Sequence, residues 1–138
     1  MKLTIVAVLS GAILTASGEA QSYDCKPTHE HVCGSSGCNS LEQDEISNEQ
    51  YSLNLASKKL DACMGSGCFS ALLQTLPPDG MAWAGAGILR QQTSGNPTKI
   101  PPMTITFAID KSTLAFSATW GQTVDSVRVL SGQCTINH

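Results

Sequence analysis

Thr104-Ile105-Thr106-Phe107-Ala108-Ile109 runs into Asp110-Lys111-Ser112-Thr113, and Leu114-Ala115-Phe116-Ser117-Ala118-Thr119-Trp120 leads out again. Ile105, Phe107 and Ile109 alternate with threonine and alanine on the first arm, and Leu114, Phe116, Ala118 and Trp120 do so on the second. A period of two places successive side chains on opposite faces, so both arms read as strands with one apolar face, joined by a polar turn. This β-hairpin sets the fold class.

Upstream, Tyr51, Leu53 and Leu55 alternate with polar or small residues, Ser57-Lys58-Lys59 intervenes, and Leu60 and Ala62 resume the pattern. A second hairpin is predicted there. Pro77-Pro78-Asp79-Gly80, Thr93-Ser94-Gly95-Asn96-Pro97 and Pro101-Pro102 punctuate the chain as turns and isolate a strand around Met81 to Gln91. Val124 to Leu130 makes a last strand, ending near Cys134. Phe69 to Leu76 carries leucines at helical spacing, but its brevity and the glycines at 65 and 67 favour a strand. The chain thus reads as all-β, a small antiparallel meander forming a barrel or a sandwich.

Residues 21 to 49 lack apolar periodicity and are polar, acidic and cysteine-rich. They read as mostly loop pinned by disulfides, with Ser40-Leu41-Glu42-Gln43 as a capping box for a short helix whose buried face is Leu41 and Ile46. Ahead of them, Met1-Lys2, the apolar run Leu3 to Leu14 and the small residues Ala16, Ser17, Gly18 and Ala20 make the three parts of a signal peptide. The apolar run is too short to span a bilayer, which takes roughly 20 residues. Cleavage after Ala20 is expected, with 1–20 the leader, 21–49 the cysteine-rich segment and 50–138 the β domain, the last two forming one structural unit.

Six cysteines, at 25, 33, 38, 63, 68 and 134, follow the leader. Export brings them to an oxidising compartment, secreted or periplasmic, where three disulfides are expected. Cys33-Gly-Ser-Ser-Gly-Cys38 and Cys63-Met-Gly-Ser-Gly-Cys68 could each close on themselves, leaving Cys25 for Cys134; the alternative ties the two segments together, and spacing does not choose. The formal charge of −3, with Lys+Arg 8 against Asp+Glu 11, offers no basic footprint for nucleic acid.

His29-Glu30-His31-Val32-Cys33 is the segment that looks like a ligand cluster, because an extended strand puts His29, His31 and Cys33 on one side. A disulfide at Cys33 would leave only a bis-histidine site. Asp44/Glu45 and Glu42/Glu49 are carboxylate pairs, but their polar setting reads as solvated, and Gly-x-Ser-x-Gly is absent from the sequence. No catalytic residue and no cofactor are implied. Gly85 and Gly87 read as a bulge or a close contact, and Trp83 and Trp120 as core or barrel-mouth residues.

With its tryptophan-bearing strand Met81-Ala82-Trp83-Ala84-Gly85, the chain resembles in outline the small β-barrel lysozyme inhibitors of bacterial envelopes. The likeness is architectural: their Ser-Gly-x-x-Tyr inhibitory loop is missing, since Ser94-Gly95 leads to Asn96-Pro97-Thr98 and Ser66-Gly67 to Cys68-Phe69-Ser70. The function expected is binding of a protein or small-molecule ligand by a rigid exported module, without membrane insertion once the leader is gone. The alternatives are a metal-handling protein using His29 and His31 and a small carboxylate-based hydrolase.

Overall fold

A computed structural model describes residues 21–46, 48–65, 67–75, 82–92, 100–123 and 126–137, with the backbone alone at 122 and 123. The leader and the turns expected at 77–80 and 93–97 lie outside these residues. The elements are β1 (Ser22–Gly34), β2 (Gly37–Ser40), α1 (Gln43–Ile46), β3 (Gln50–Asn54), β4 (Lys59–Met64), β5 (Gly67–Leu72), β6 (Gln74–Thr75), β7 (Ala82–Gln91), β8 (Met103–Asp110), β9 (Ala115–Thr123) and β10 (Ser126–Asn137).

Strands β1, β3, β4, β5, β7, β8, β9 and β10 pair antiparallel in that order, and β10 returns to β1, closing an 8-strand barrel. The two hairpins read from alternation are β3–β4 and β8–β9, with Leu53 opposite Leu60 and Phe107 opposite Ala118. The hairpin at Asp110 turns tightly because its carboxylate accepts from the Ser112 and Thr113 amides at 2.8 and 3.1 Å, and Leu114 takes a left-handed φ of 59°.

The reading of 21–49 as mostly loop is corrected. Thirteen of these residues form β1, which pairs with β3 on one side and along β10 on the other. Its alternation is hard to see because the outward residues are polar and the register shifts between Pro27 and His29. Helix α1 does form, two positions later than expected, opened by the Glu42 amide donating to Glu45 Oε2 at 2.9 Å, and Ile46 is its buried residue.

An interior of eight strands is just wide enough for side chains to fill it. Tyr51, Leu53, Leu60, Phe69, Phe107, Ile105 and Ile109 do so, all essentially inaccessible, and Phe107 stacks on Phe116 with centroids 5.3 Å apart. Thr104, Thr106 and Ser117 face outward. This apolar-in, polar-out order is the reverse of a barrel whose outer band meets lipid. No helix of the described residues is long and apolar enough to cross a membrane.

The disulfides are Cys25–Cys134, Cys33–Cys38 and Cys63–Cys68. Each joins residues directly opposite on neighbouring antiparallel strands. Cys25–Cys134 spans 109 residues of sequence and crosses the β1–β10 seam. That pairing of first and last strands has the highest loop-closure entropy in the fold, so a bond there removes the most freedom from the unfolded chain.

Candidate functional site

The seam between β1 and β10 holds an unexpected device. Pro27 lies opposite Gly132 and His29 opposite Ser131, so Thr28 is an extra residue in β1. Such a bulge exchanges inward and outward positions along the rest of a strand. Before it Tyr23, Cys25 and Pro27 point inward; after it Glu30 does, while His29 and His31 are exposed.

Glu30 is 1% accessible, and its Oε1 accepts from Arg128 Nη1 at 2.7 Å. The same Nη1 lies 3.7 Å from Glu49 Oε1. Tyr51 donates its hydroxyl to Glu49 Oε2 at 3.0 Å and accepts from Trp120 Nε1 at 3.1 Å. The guanidinium carbon sits 5.0 Å from the centroid of the Trp120 ring. Glu30 Oε2 is buried with no hydrogen-bond partner among the described residues.

One cation therefore serves two buried carboxylates. Burial pushes the Glu49 carboxyl above its ordinary value and the nearby Glu30 charge pushes it further, against the Tyr51 hydrogen bond and Arg128. Burial, followed by the Glu49 charge, also holds the Tyr51 phenol far above the usual tyrosine range. At neutral pH Tyr51 keeps its proton and is a donor.

The expectation that Glu49 is solvated is thus corrected, whereas Glu42, Asp44 and Glu45 are exposed. Glu49 reaches the interior because α1 buries Ile46 and the Glu49 amide caps the Ile46 carbonyl at 3.2 Å. Glu30, Tyr51, Trp120 and Arg128 were not singled out together by the sequence. A signal existed for Arg128: period two from Cys134 through Gly132 and Leu130 puts it on the inward face.

His29 and His31 stand on the outer wall of β1. Their Nδ1 atoms lie 2.9 Å from Thr28 Oγ1 and 3.0 Å from Ser40 Oγ. Cys33 is bonded to Cys38, so its thiolate is not among the possible ligands. The described residues contain no group of three or more His, Cys, Asp or Glu side chains arranged for a metal.

On another part of the wall, β5 and β7 pair at Phe69–Gln91 and Ser70–Arg90, then through β6 at Gln74–Ala86 and Thr75–Gly85. The two patches share one register, with Ser70–Arg90 and Gln74–Ala86 four residues apart along each side, yet the stretch between them, where Leu72 would face Ile88, carries no ladder pairing. Leu73 turns inward, and its amide donates to Lys58 O at 2.8 Å. Only glycine fits beneath it: a Cβ on Gly87 would stand 2.7 Å from Leu72 O and 3.0 Å from Leu73 Cδ2.

Where β5 sinks inward the outer wall is dished, leaving a groove of about 680 Å³. Its floor includes Ala86 and Gly87, its walls Leu72 and Ile88, and its rim Lys59 and Arg90. Leu72 is 73% and Ile88 42% accessible, two of the three large apolar side chains exposed among the described residues. The groove and the Glu30–Glu49–Arg128 cluster share no residue. Compared with models of known protein families, with curated proteins and with solved structures, the chain matches none.

Proposed function

We propose that this small, disulfide-rich, all-β protein is a secreted or periplasmic binding module whose ligand lies in the groove between β5 and β7. One observation carries the reading: Leu72 and Ile88 stand exposed side by side over a gap in the ladder, on a barrel where Val129 is the only other large apolar side chain exposed among the described residues. A side chain such as Leu gains roughly 1.5–3 kcal/mol on burial, so an apolar partner covering both is favoured. The volume falls within the roughly 300–1,000 Å³ of small-ligand sites. Three disulfides suit an oxidising compartment and keep the wall rigid, which limits the ordering cost of binding.

The neutral apolar dye Nile red tests it. Fluorescence enhancement by the intact protein, lost in Ile88→Asp and retained in Val129→Asp, places the site in the groove; enhancement unaffected by Ile88→Asp rules the groove out.

A second reading, a carboxylate-based hydrolase, is favoured by the convergence of Glu30 and Glu49 with the Glu49 carboxyl raised. Hydrolysis of a panel of chromogenic esters and glycosides that is abolished by Glu49→Gln would establish it. Rates equal to buffer alone across the panel would remove it.

A further inference from the structure

The groove has a polar edge with a sign. On the outer face the register puts Lys59 opposite Leu72 and Arg90 opposite Ser70, two residues along β7 from Ile88. Lys59 Nζ is paired with Asp61 Oδ1 at 3.0 Å, and that same oxygen accepts from Gln92 Nε2 at 2.8 Å. Arg90 has no ion pair or hydrogen bond with any described side chain. Two cations and one carboxylate leave the rim net positive on a chain whose formal charge is −3.

Resting on the groove as the binding site, we infer that its ligand is an amphipathic anion: an unbranched or flat apolar body laid between Leu72 and Ile88, with a carboxylate or similar acidic group on Arg90. The planar guanidinium offers a fork of donors suited to a carboxylate. Thr104 stands opposite Ile88 and Thr106 opposite Ala86 on β8, so the far side of the groove is uncharged. An anionic group is thereby directed to one end, and the ligand lies in one orientation. A cationic head group would face Arg90 and Lys59, with the one rim carboxylate, Asp61, already paired to Lys59 and Gln92.

Three probes that share an eight-carbon chain, octanoate, octanol and octylamine, separate head group from body. Each is titrated into the disulfide-intact protein while the methyl signals of Leu72 and Ile88 are followed by NMR. Octanoate is expected to bind about three- to fivefold more tightly than octanol, the range for an exposed charge pair, and octylamine more weakly than either. Arg90→Gln should bring octanoate down to the octanol value, and added salt should do the same in the wild type.

Equal affinities for all three, or octylamine the tightest, overturn the anionic ligand while leaving an apolar groove in place. An octanoate preference that survives Arg90→Gln overturns the role of Arg90. If none of the probes shifts the groove methyls and Nile red is also indifferent to Ile88→Asp, the groove itself is not the site and the inference falls with it.

Discussion

Gly132 on β10 lies against the carbonyl of Lys26 on β1, so close that a Cβ there would overlap the carbonyl oxygen and stand 2.8 Å from both Pro27 Cα and Phe116 Cε1. The missing side chain lets β1 carry its extra residue at Thr28, and the extra residue turns Glu30 into the barrel. A backbone contact on the wall thus decides which charge the interior must accommodate.

Gly132→Ala is expected to destabilise the protein by about 1–3 kcal/mol, the range for forcing an extra carbon into a packed site. Gly65→Ala, where an added Cβ meets nothing within 4 Å, should change stability by less than about 0.5 kcal/mol. Urea midpoints of the two variants measure the difference. Equal midpoints would mean that the β1–β10 seam has room to relax.

Glu49 makes stability depend on pH. Its carboxyl is raised in the folded state above the ordinary 4.5, so the folded protein holds a proton that the unfolded chain releases. The associated stabilisation is complete below the unfolded value and is lost as pH rises through the folded one. Glu49→Gln, which cannot ionise, should flatten this slope and gain on the wild type as pH rises from 4.5 toward neutrality. Thermal midpoints across that window report it, and parallel curves would argue that Glu49 is solvated.

Arg128→Met strands the Glu30 carboxylate in the interior. Removing one partner of a fully buried pair costs about 3–5 kcal/mol; because the Arg128 side chain is 34% accessible, we expect about 2–3 kcal/mol. Adding Glu30→Gln removes the orphaned charge and should restore more than half of the loss. A double-mutant cycle by chemical denaturation gives the coupling, and additive effects would show that the two residues act independently.

The three disulfides should be unequal. On the loop-entropy model, replacing Cys25 and Cys134 by alanine removes about 5 kcal/mol, whereas opening Cys33–Cys38 or Cys63–Cys68 removes about 2. Calorimetric unfolding of the three double variants ranks them. A Cys25/Cys134 variant as stable as the hairpin variants would indicate that the β1–β10 seam persists in the unfolded chain.

Alternation alone identified the two central hairpins, because Ile105, Phe107, Ile109 and Phe116 need an apolar interior on one side and Thr104, Thr106 and Ser117 tolerate water on the other. The strand from Ala82 to Gln91 was legible from its flanking turns, and the glycines at 85 and 87 as points of close approach. β1 was not legible: its outward residues are polar, and the bulge at Thr28 breaks the period that a pattern search relies on. Adjacent Leu72 and Leu73 announce that one must face out of a strand, but which one, and that Ile88 joins it, is a matter of register between β5 and β7.

By itself the sequence determined an antiparallel β protein with an apolar face on the strands of its two alternating hairpins, since period two is a local property of the backbone. It also offered two cysteine schemes, a local one and a clamped one, without choosing between them. Only the tertiary structure decided that the meander closes by pairing β1 with β10, that the local scheme holds, and that Glu30, Glu49 and Arg128 meet. Those contacts join residues as far apart as 25 and 134, and a one-residue change of register on a closing strand sends each side chain to the opposite face, which no local pattern records.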